Sequence, residues 1–301
     1  MLCTRHRERE AIRCLQAVRR LDYPDLEVVV VDNSAGLPGL RSAAAAAGAR
    51  YVVEPRPGLS RSRNVGGRLA SGEVVAFLDD DSPPHSAWVD RLAAAFQDLG
   101  VVAATGRVRV ADPESEGGLA YMAFGAEDLG PYPFRLTRMD PDWFERANFG
   151  GVGVGPSIAF RAKLFSQGWG FREDLGPPAG IAGEENHAFF DLLRAGHAIA
   201  YVPGAIVFHE PPADRARLAA RARRILRGST AYVIMLLVEE PGYRRRVLGY
   251  AVRALRNQRR SWRPTAPAGT LFSRRELLVA TATAPWSYFR WRLRRRRLLA
   301  G

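Results

Sequence analysis

Three consecutive acids, Asp79, Asp80 and Asp81, close the apolar run Val74-Val75-Ala76-Phe77-Leu78. A short buried strand that stops on acidic residues delivers them to the carboxyl edge of an open α/β sheet, where such sheets place their ligands. Hard divalent cations take carboxylate oxygens, and a cation held by only one or two of them keeps positions free for phosphate. The cluster therefore reads as a site for a divalent metal and a diphosphate. A structural reading competes with it: adjacent acids after a strand also start turns or cap a following helix, here one opened by Ser86.

The elements that would position this cluster follow from hydrophobic period. Ile12, Leu15, Val18 and Leu21 predict a helix, and Leu26 to Val31 a buried strand ending at Asp32. Ala43 to Ala47 predict a helix closed by Gly48, and Tyr51 to Val53 a short strand. Trp88, Val89, Leu92, Phe96 and Leu99 predict an amphipathic helix stopped by Gly100. This βαβ rhythm implies an α/β fold with a mostly parallel central sheet flanked by helices. Residues 111–147 lose the rhythm and collect Pro, Gly and aromatics, as a long insertion over the ligand edge would. From Ala188 the period is helical again, with Arg194 in the last turn and Gly196 after it. Ala198 to Tyr201 and Ala205 to Phe208 then predict two short strands.

At 301 residues the chain can bury one large core with a smaller appendage. Its only cysteines, Cys3 and Cys14, make no disulfide framework, and charged residues follow Met1-Leu2 almost at once, so a cytoplasmic protein without a secretory leader is expected. The net charge of +13 comes largely from the C-terminal third, in Arg221 to Arg227, Arg244 to Arg246, Arg259-Arg260 and Arg290 to Arg297. That asymmetry points to an anionic partner, a bilayer or nucleic acid.

The order of motifs resembles the family 2 glycosyltransferases, inverting enzymes of GT-A fold. The pieces are Cys3-Thr4-Arg5, Val29 to Ser34, Pro57 to Gly66, Phe77 to Asp81, Gly155 to Arg161, Gly183-Glu184-Glu185 and Val207-Phe208-His209, spread over residues 1–212. The resemblance implies a nucleotide-binding half at 1–110 and an acceptor-binding half at 111–212, after which the residues themselves predict a basic helical extension at 213–301. It implies that Asp32 binds the nucleotide's base or ribose, with Thr4 and Arg5 lining the same pocket. Asp81 would hold Mg²⁺ or Mn²⁺ against the diphosphate, with His209 completing the metal shell, while Asp79 and Asp80 face the ribose or support the ligand. Arg63 and Asn64 stand at matching positions, and a guanidinium forks well onto phosphate oxygens; Arg61 reads as a solvated helix start.

Inverting transfer needs a carboxylate that takes a proton from the acceptor hydroxyl. The family supplies it as the aspartate of a Glu-Asp pair. Here the pair is Glu184-Glu185, so Glu185 stands at the base position with one extra methylene, against the alternative that both acids complement a helix dipole. The family's first strand also carries more apolar residues than Met1-Leu2 supplies, which predicts a short β1 and fewer ladder bonds.

Beyond Pro212 the resemblance ends. A basic helix is expected at 214–227, and the apolar run Ala231 to Val238 and the segment Leu277 to Phe289 containing Pro285 are each too short to span a bilayer. Trp286, Tyr288 and Trp291 beside the terminal arginines suit an interfacial anchor on anionic lipid, and no nucleic-acid motif accompanies the charge. The expected protein is a metal-dependent inverting glycosyltransferase that moves a sugar from a nucleotide-diphosphate sugar to a hydroxyl of a glycan, lipid-linked or small-molecule acceptor. Its rivals are a nucleotide-sugar-binding protein that has lost turnover and, less well matched, a nucleic-acid-binding protein.

Overall fold

The computed structural model describes residues 1–123, 128–212, 214–261 and 274–299. They form two compact units, one made of Met1–Ala111, Glu127–Glu173 and Glu184–Glu210, the other of Asp112–Ala126, Asp174–Gly183 and Pro211–Gly301.

The first unit carries strands β1 (Leu2–Thr4), β2 (Val29–Asp32), β3 (Arg50–Val53), β4 (Val74–Asp79), β5 (Val101–Val110), β6 (Phe134–Leu136), β7 (Ser157–Arg161) and β8 (Ala198–His209). The first eight helices along the chain are α1 (Glu8–Val18), α2 (Pro38–Ala46), α3 (Leu59–Leu69), α4 (Trp88–Ala94), α5 (Glu116–Ala123), α6 (Trp143–Phe149), α7 (Lys163–Ser166) and α8 (Glu184–Arg194), of which α5 lies in the second unit. The strands make one mixed sheet in the order β3-β2-β1-β4-β7-β5-β8-β6. β1 to β4 are parallel, β7 is antiparallel to both β4 and β5, and β8 is parallel to β5. Every residue of β1 and β2 is buried, as strands covered on both faces require.

Four expectations need correction. Ser86 caps nothing: the residue before α4 is Ala87 and no side chain caps it. After the aspartates the chain instead pairs with β8, through Phe208 N–H to Pro83 O at 2.9 Å and His85 N–H to Ile206 O at 2.9 Å. Leu99 is 84% exposed, because α4 tightens into a 3₁₀ turn at Ala95–Gln97 and the helical face ends there. The two short strands at 198–208 are one strand, which passes Pro203 and Gly204 by a register irregularity opposite Gly106 and Arg107. The strand leading to Asp32 begins at Val29, not Leu26.

The first strand is as short as expected. The Met1 ammonium donates to Ala76 O at 2.8 Å, and the sheet-side flank of Val74 to Ala76 has no β1 residue opposite it. A cavity of about 930 Å³ lies at that amino edge, lined by Met1, Leu26, Val28, Val74 and Trp88 among others. It contains none of the candidate site residues, which gather at the opposite edge.

In the second unit α9 (Arg215–Glu239) unites the basic stretch and the apolar run expected as separate pieces, followed by α10 (Arg244–Ser261) and α11 (Arg274–Leu299), which continues through Pro285. Among the described residues no helix is long and apolar enough to cross a membrane. The interfacial cluster expected in α11 divides. Tyr288 and Trp291 are buried, and the Trp291 indole N–H donates to Asp174 O at 2.6 Å. Arg295 pairs with Asp174 at 3.0 Å and Glu239 at 2.7 Å, so these three residues serve the unit's own packing. The side chains of Arg294, Arg296 and Arg297 lie outside the described residues.

Candidate active site

Parallel register brings the candidate residues to one edge. Thr4 stands opposite Asp32, and Cys3 opposite Asp79, so the ends of β1, β2 and β4 are level. β8 runs in the same direction and ends at His209, and Glu210 N–H donates to Asp81 O at 2.8 Å, which draws His209 onto the aspartates from far along the chain.

The three aspartates have different environments. Asp81 Oδ1 lies 3.4 Å from His209 Nδ1, and its Oδ2 accepts from Arg7 Nη1 at 2.9 Å. Burial alone would raise its pKa, but His209 and Arg7 outweigh burial and hold the carboxyl below the usual range. Asp80 accepts from the Thr4 hydroxyl at 2.6 Å and pairs with Arg7 at 2.8 Å, yet burial pushes its pKa up to about 7. Burial also raises Asp79, against the pull of Arg63. Asp81 is thus the committed anion of the cluster.

Arg7 is a residue that sequence reading missed. It stands at the N-cap of α1 without capping it, just after His6, a non-glycine residue with φ of 56°. That bend turns the Arg7 side chain back over Asp80 and Asp81. The one available sign was a basic residue where a helix start favours an acid.

Asp32 is fully buried and satisfied. Its Oδ1 accepts from Ser34 N–H at 2.9 Å and from the Ser34 hydroxyl, and its Oδ2 from the Tyr51 hydroxyl at 2.5 Å. In the sequence Tyr51 announces only a strand. Arg5 is exposed beside this edge.

Arg63 and Asn64, expected beside a diphosphate, are engaged by protein partners. The Arg63 guanidinium is buried, 3.4 Å from Asp79 and 3.3 Å from Glu184, with the Phe171 ring centroid 5.4 Å away. It joins the aspartate cluster to the glutamate pair. The Asn64 amide is engaged by Phe171 backbone, donating to its carbonyl at 2.9 Å and accepting from its N–H at 2.8 Å, and so anchors the 170–173 loop. Arg61 pairs with Glu173 at 2.5 Å. Arg63 and Asn64 lie on the buried face of α3, which an amphipathic pattern cannot announce.

Gly155 makes room for Arg63, since a Cβ there would sit 2.5 Å from Nη2. The guanidinium is held on two sides and cannot swing away without breaking an ion pair. Gly155→Ala is therefore expected to destabilise the protein by about 1–3 kcal/mol, measurable as a lower midpoint in urea unfolding. An unchanged midpoint would show that Arg63 is not fixed as described.

Glu185 lies in the first turn of α8. The residue as a whole is half-buried, but Oε2 is fully buried with no hydrogen-bond partner. Burial, and next the Glu184 charge, push its pKa up to about 8. The neighbouring Glu184, committed to Arg63, is the positioning partner that sequence reading left aside.

A divalent cation fits part of this edge. Two donors of one octahedral ion with bonds near 2.1 Å stand about 3 Å apart when adjacent, and Asp81 Oδ1 and His209 Nδ1 are separated by 3.4 Å. Among the described residues no three His, Cys, Asp or Glu side chains converge into a protein cage. A two-donor site that leaves positions for phosphate is the arrangement that the donor set supports.

Comparisons agree with this architecture. The chain is 28% identical over 179 residues to glycosyltransferase AglE of Haloferax volcanii, covering 47% of this chain and 58% of AglE. It is 29% identical over 263 residues to the succinoglycan biosynthesis protein ExoM of Rhizobium meliloti, covering 81% of this chain and 76% of ExoM. Among solved structures it resembles S. aureus TarS, with a TM-score of 0.52 and 15% identity over 77% of this chain and 64% of that one. It also resembles glucosyl-3-phosphoglycerate synthase of Mycobacterium tuberculosis, solved with Mn²⁺ and UDP, with a TM-score of 0.50 and 18% identity over 77% of each chain. The chain thus spans under two thirds of AglE and of the TarS structure, and at these identities the structural likeness is one of fold, the GT-A fold. The family's sequence pattern matches residues 1–166, a stretch that runs from β1 through the aspartate cluster and the Gly155 segment to α7, and the chain accordingly belongs to glycosyl transferase family 2.

Proposed function

We propose that the chain is a metal-dependent inverting glycosyltransferase that moves a sugar from a nucleotide-diphosphate sugar to an acceptor hydroxyl. The observation that carries this reading is Arg63, which links the anion cluster at the end of β4 to the glutamate pair at the start of α8. Both ends of a transfer reaction are then addressed by one rigid connection. Structures of TarS with UDP-GlcNAc, and of the mycobacterial synthase with Mn²⁺ and UDP, support a uridine-diphosphate donor. The name of ExoM, a succinoglycan biosynthesis protein, supports a glycan acceptor.

In this reading Asp81 and His209 hold the cation, which when bound supplies positive charge against the leaving diphosphate. Thr4 and Arg7 fix the orientation of Asp80 and Asp81 beside it. Asp32, buried and engaged by Ser34 and Tyr51, sets those two residues at the nucleoside end of the site. Glu185 accepts the acceptor's proton as its oxygen bonds to the anomeric carbon; the bond from that carbon to the phosphate oxygen breaks, and its electron pair leaves with the nucleoside diphosphate. Arg63 pairs with Glu184 next to Glu185, and the Glu184 charge helps raise the Glu185 pKa, which makes Glu185 a stronger base.

Incubating the chain with a panel of nucleotide sugars and Mn²⁺ is expected to release nucleoside diphosphate from at least one donor, and a chelator to stop it. Undiminished release in chelator would remove the metal from the mechanism. Tight donor binding without release under any condition would favour the binding protein that has lost turnover, for which the longer arm of Glu185 is the motive.

A further inference from the structure

α11 buries one side and leaves the other apolar side uncovered. Ala280, Ala284, Tyr288 and Trp291 face inward at three- and four-residue spacing, as packing against a neighbour requires. On the opposite side Val279 is 45% exposed, Trp286 61%, Phe289 49% and Leu293 44%. Val279, Trp286 and Leu293 are seven residues apart, so they line one stripe about 21 Å long at 1.5 Å per residue. The Trp286 and Phe289 rings stack with centroids 5.8 Å apart, which makes one continuous aromatic surface. Arg275, Arg290 and Arg292 are exposed on the same helix.

We propose that this face of α11 is a membrane-surface docking site for anionic phospholipid. Isolated exposed apolar side chains are ordinary, whereas a contiguous aromatic and aliphatic stripe marks an interaction surface. Charge selects the occupant. The helix holds eight arginines against one glutamate, and the chain as a whole carries +13, so a second copy presenting the same face would be repelled while an anionic bilayer would be attracted. An apolar stripe rich in aromatic residues and bordered by arginines matches the interfacial layer, where rings enter the headgroup boundary and guanidinium groups stay with phosphate. The residues doing this are Trp286, Phe289 and Leu293. Tyr288 and Trp291 are excluded by burial, and Arg295 by its pairing with Asp174 and Glu239. The inference is independent of glycosyl transfer, because none of these side chains belongs to the candidate active site.

The test is co-sedimentation of the full chain with vesicles, either of phosphatidylcholine alone or of equal parts phosphatidylcholine and phosphatidylglycerol, at low and high salt. The expected result is binding to the anionic vesicles at least about tenfold tighter than to the neutral ones, weakened by salt. The triple variant Trp286→Ser, Phe289→Ser, Leu293→Ser should partition about tenfold less, with an unchanged circular dichroism spectrum. Arg290→Gln with Arg292→Gln should lower binding at low salt and flatten the salt dependence. Unchanged partition of the triple variant overturns the proposal. So does a loss of dimer mass in sedimentation equilibrium without a loss of vesicle binding, which assigns the stripe to a second copy. Displacement of the chain from anionic vesicles by a small excess of RNA assigns the charge to nucleic acid and overturns it as well.

Discussion

Glu185→Gln is expected to lower the rate of sugar transfer by about 10²-fold or more while nucleotide-sugar affinity stays within about twofold. Glutamine keeps the shape at the start of α8 and removes only proton acceptance. The parent enzyme carries its own control in its pH profile. Burial and the Glu184 charge push the Glu185 pKa up to about 8, so the carboxyl is protonated below that value and the base form is populated above it. The transfer rate of the parent should therefore rise with pH and level off above about 8, and the residual rate of Glu185→Gln should lack that limb. Glu184→Gln acts differently: it leaves the base in place but removes one partner of Arg63 and the charge that helps raise Glu185, so it should lower stability and move the rising limb of the pH profile to lower pH. Rates of transfer and donor dissociation constants measured across pH separate these outcomes. A parent rate indifferent to pH between 6 and 9, or a glutamine variant as fast as the parent, would return Glu185 to a helix-start role.

Asp81→Asn is expected to reduce metal-supported transfer by about 10³-fold, as loss of a charge that neutralises a leaving diphosphate should. The argument rests on which of three adjacent acids is the anion. Asp80 is pushed up to about 7 and Asp79 is raised by burial, whereas His209 and Arg7 hold Asp81 below the ordinary range. A ligand that needs no deprotonation is ready for a cation. Binding of Mn²⁺, followed by calorimetry, should be lost in Asp81→Asn and retained in Asp80→Asn. The same lowered pKa has a consequence for stability. The Asp81 charge stabilises the fold above the unfolded carboxylate value of about 3.9 and is lost as pH falls below it through the lower folded value. Asp81→Asn should therefore be less stable than the parent at neutral pH and approach it in acid. Equal Mn²⁺ binding by both variants would move the ligand role to another residue.

The first half of the fold was legible because parallel strands buried on both faces read as continuous apolar runs. Val29 to Val31 and Val74 to Leu78 each announce a strand and what stands at its end. The same rule placed Asp32 and Asp79 at one edge. Register then made Thr4 and Cys3 their neighbours, which follows from strand order rather than from either run alone. Less legible was anything that breaks a period. Pro203 and Gly204 suggested two strands where one irregular strand runs, because a bulge keeps pairing while it interrupts the pattern.

By itself the sequence determined the residue types available for chemistry, the α/β rhythm and the excess of arginine in the last third, all of which depend on local order along the chain. The tertiary structure alone decided which charges meet. Arg63 and Glu184 are 121 residues apart, and Arg7 and Asp81 74 apart, yet each pair is in contact. Whether a guanidinium faces a ligand or another side chain depends on the side of α3 that the sheet covers, and small residues such as Gly66 and Gly67 let that polar face pack inward against the usual pattern. In α11, likewise, composition promised three interfacial aromatic residues, but helical phase turned two of them inward and left Trp286 outside. Charge and polarity are written in the sequence. Their partners are set by which faces packing removes from water, and that depends on every element at once.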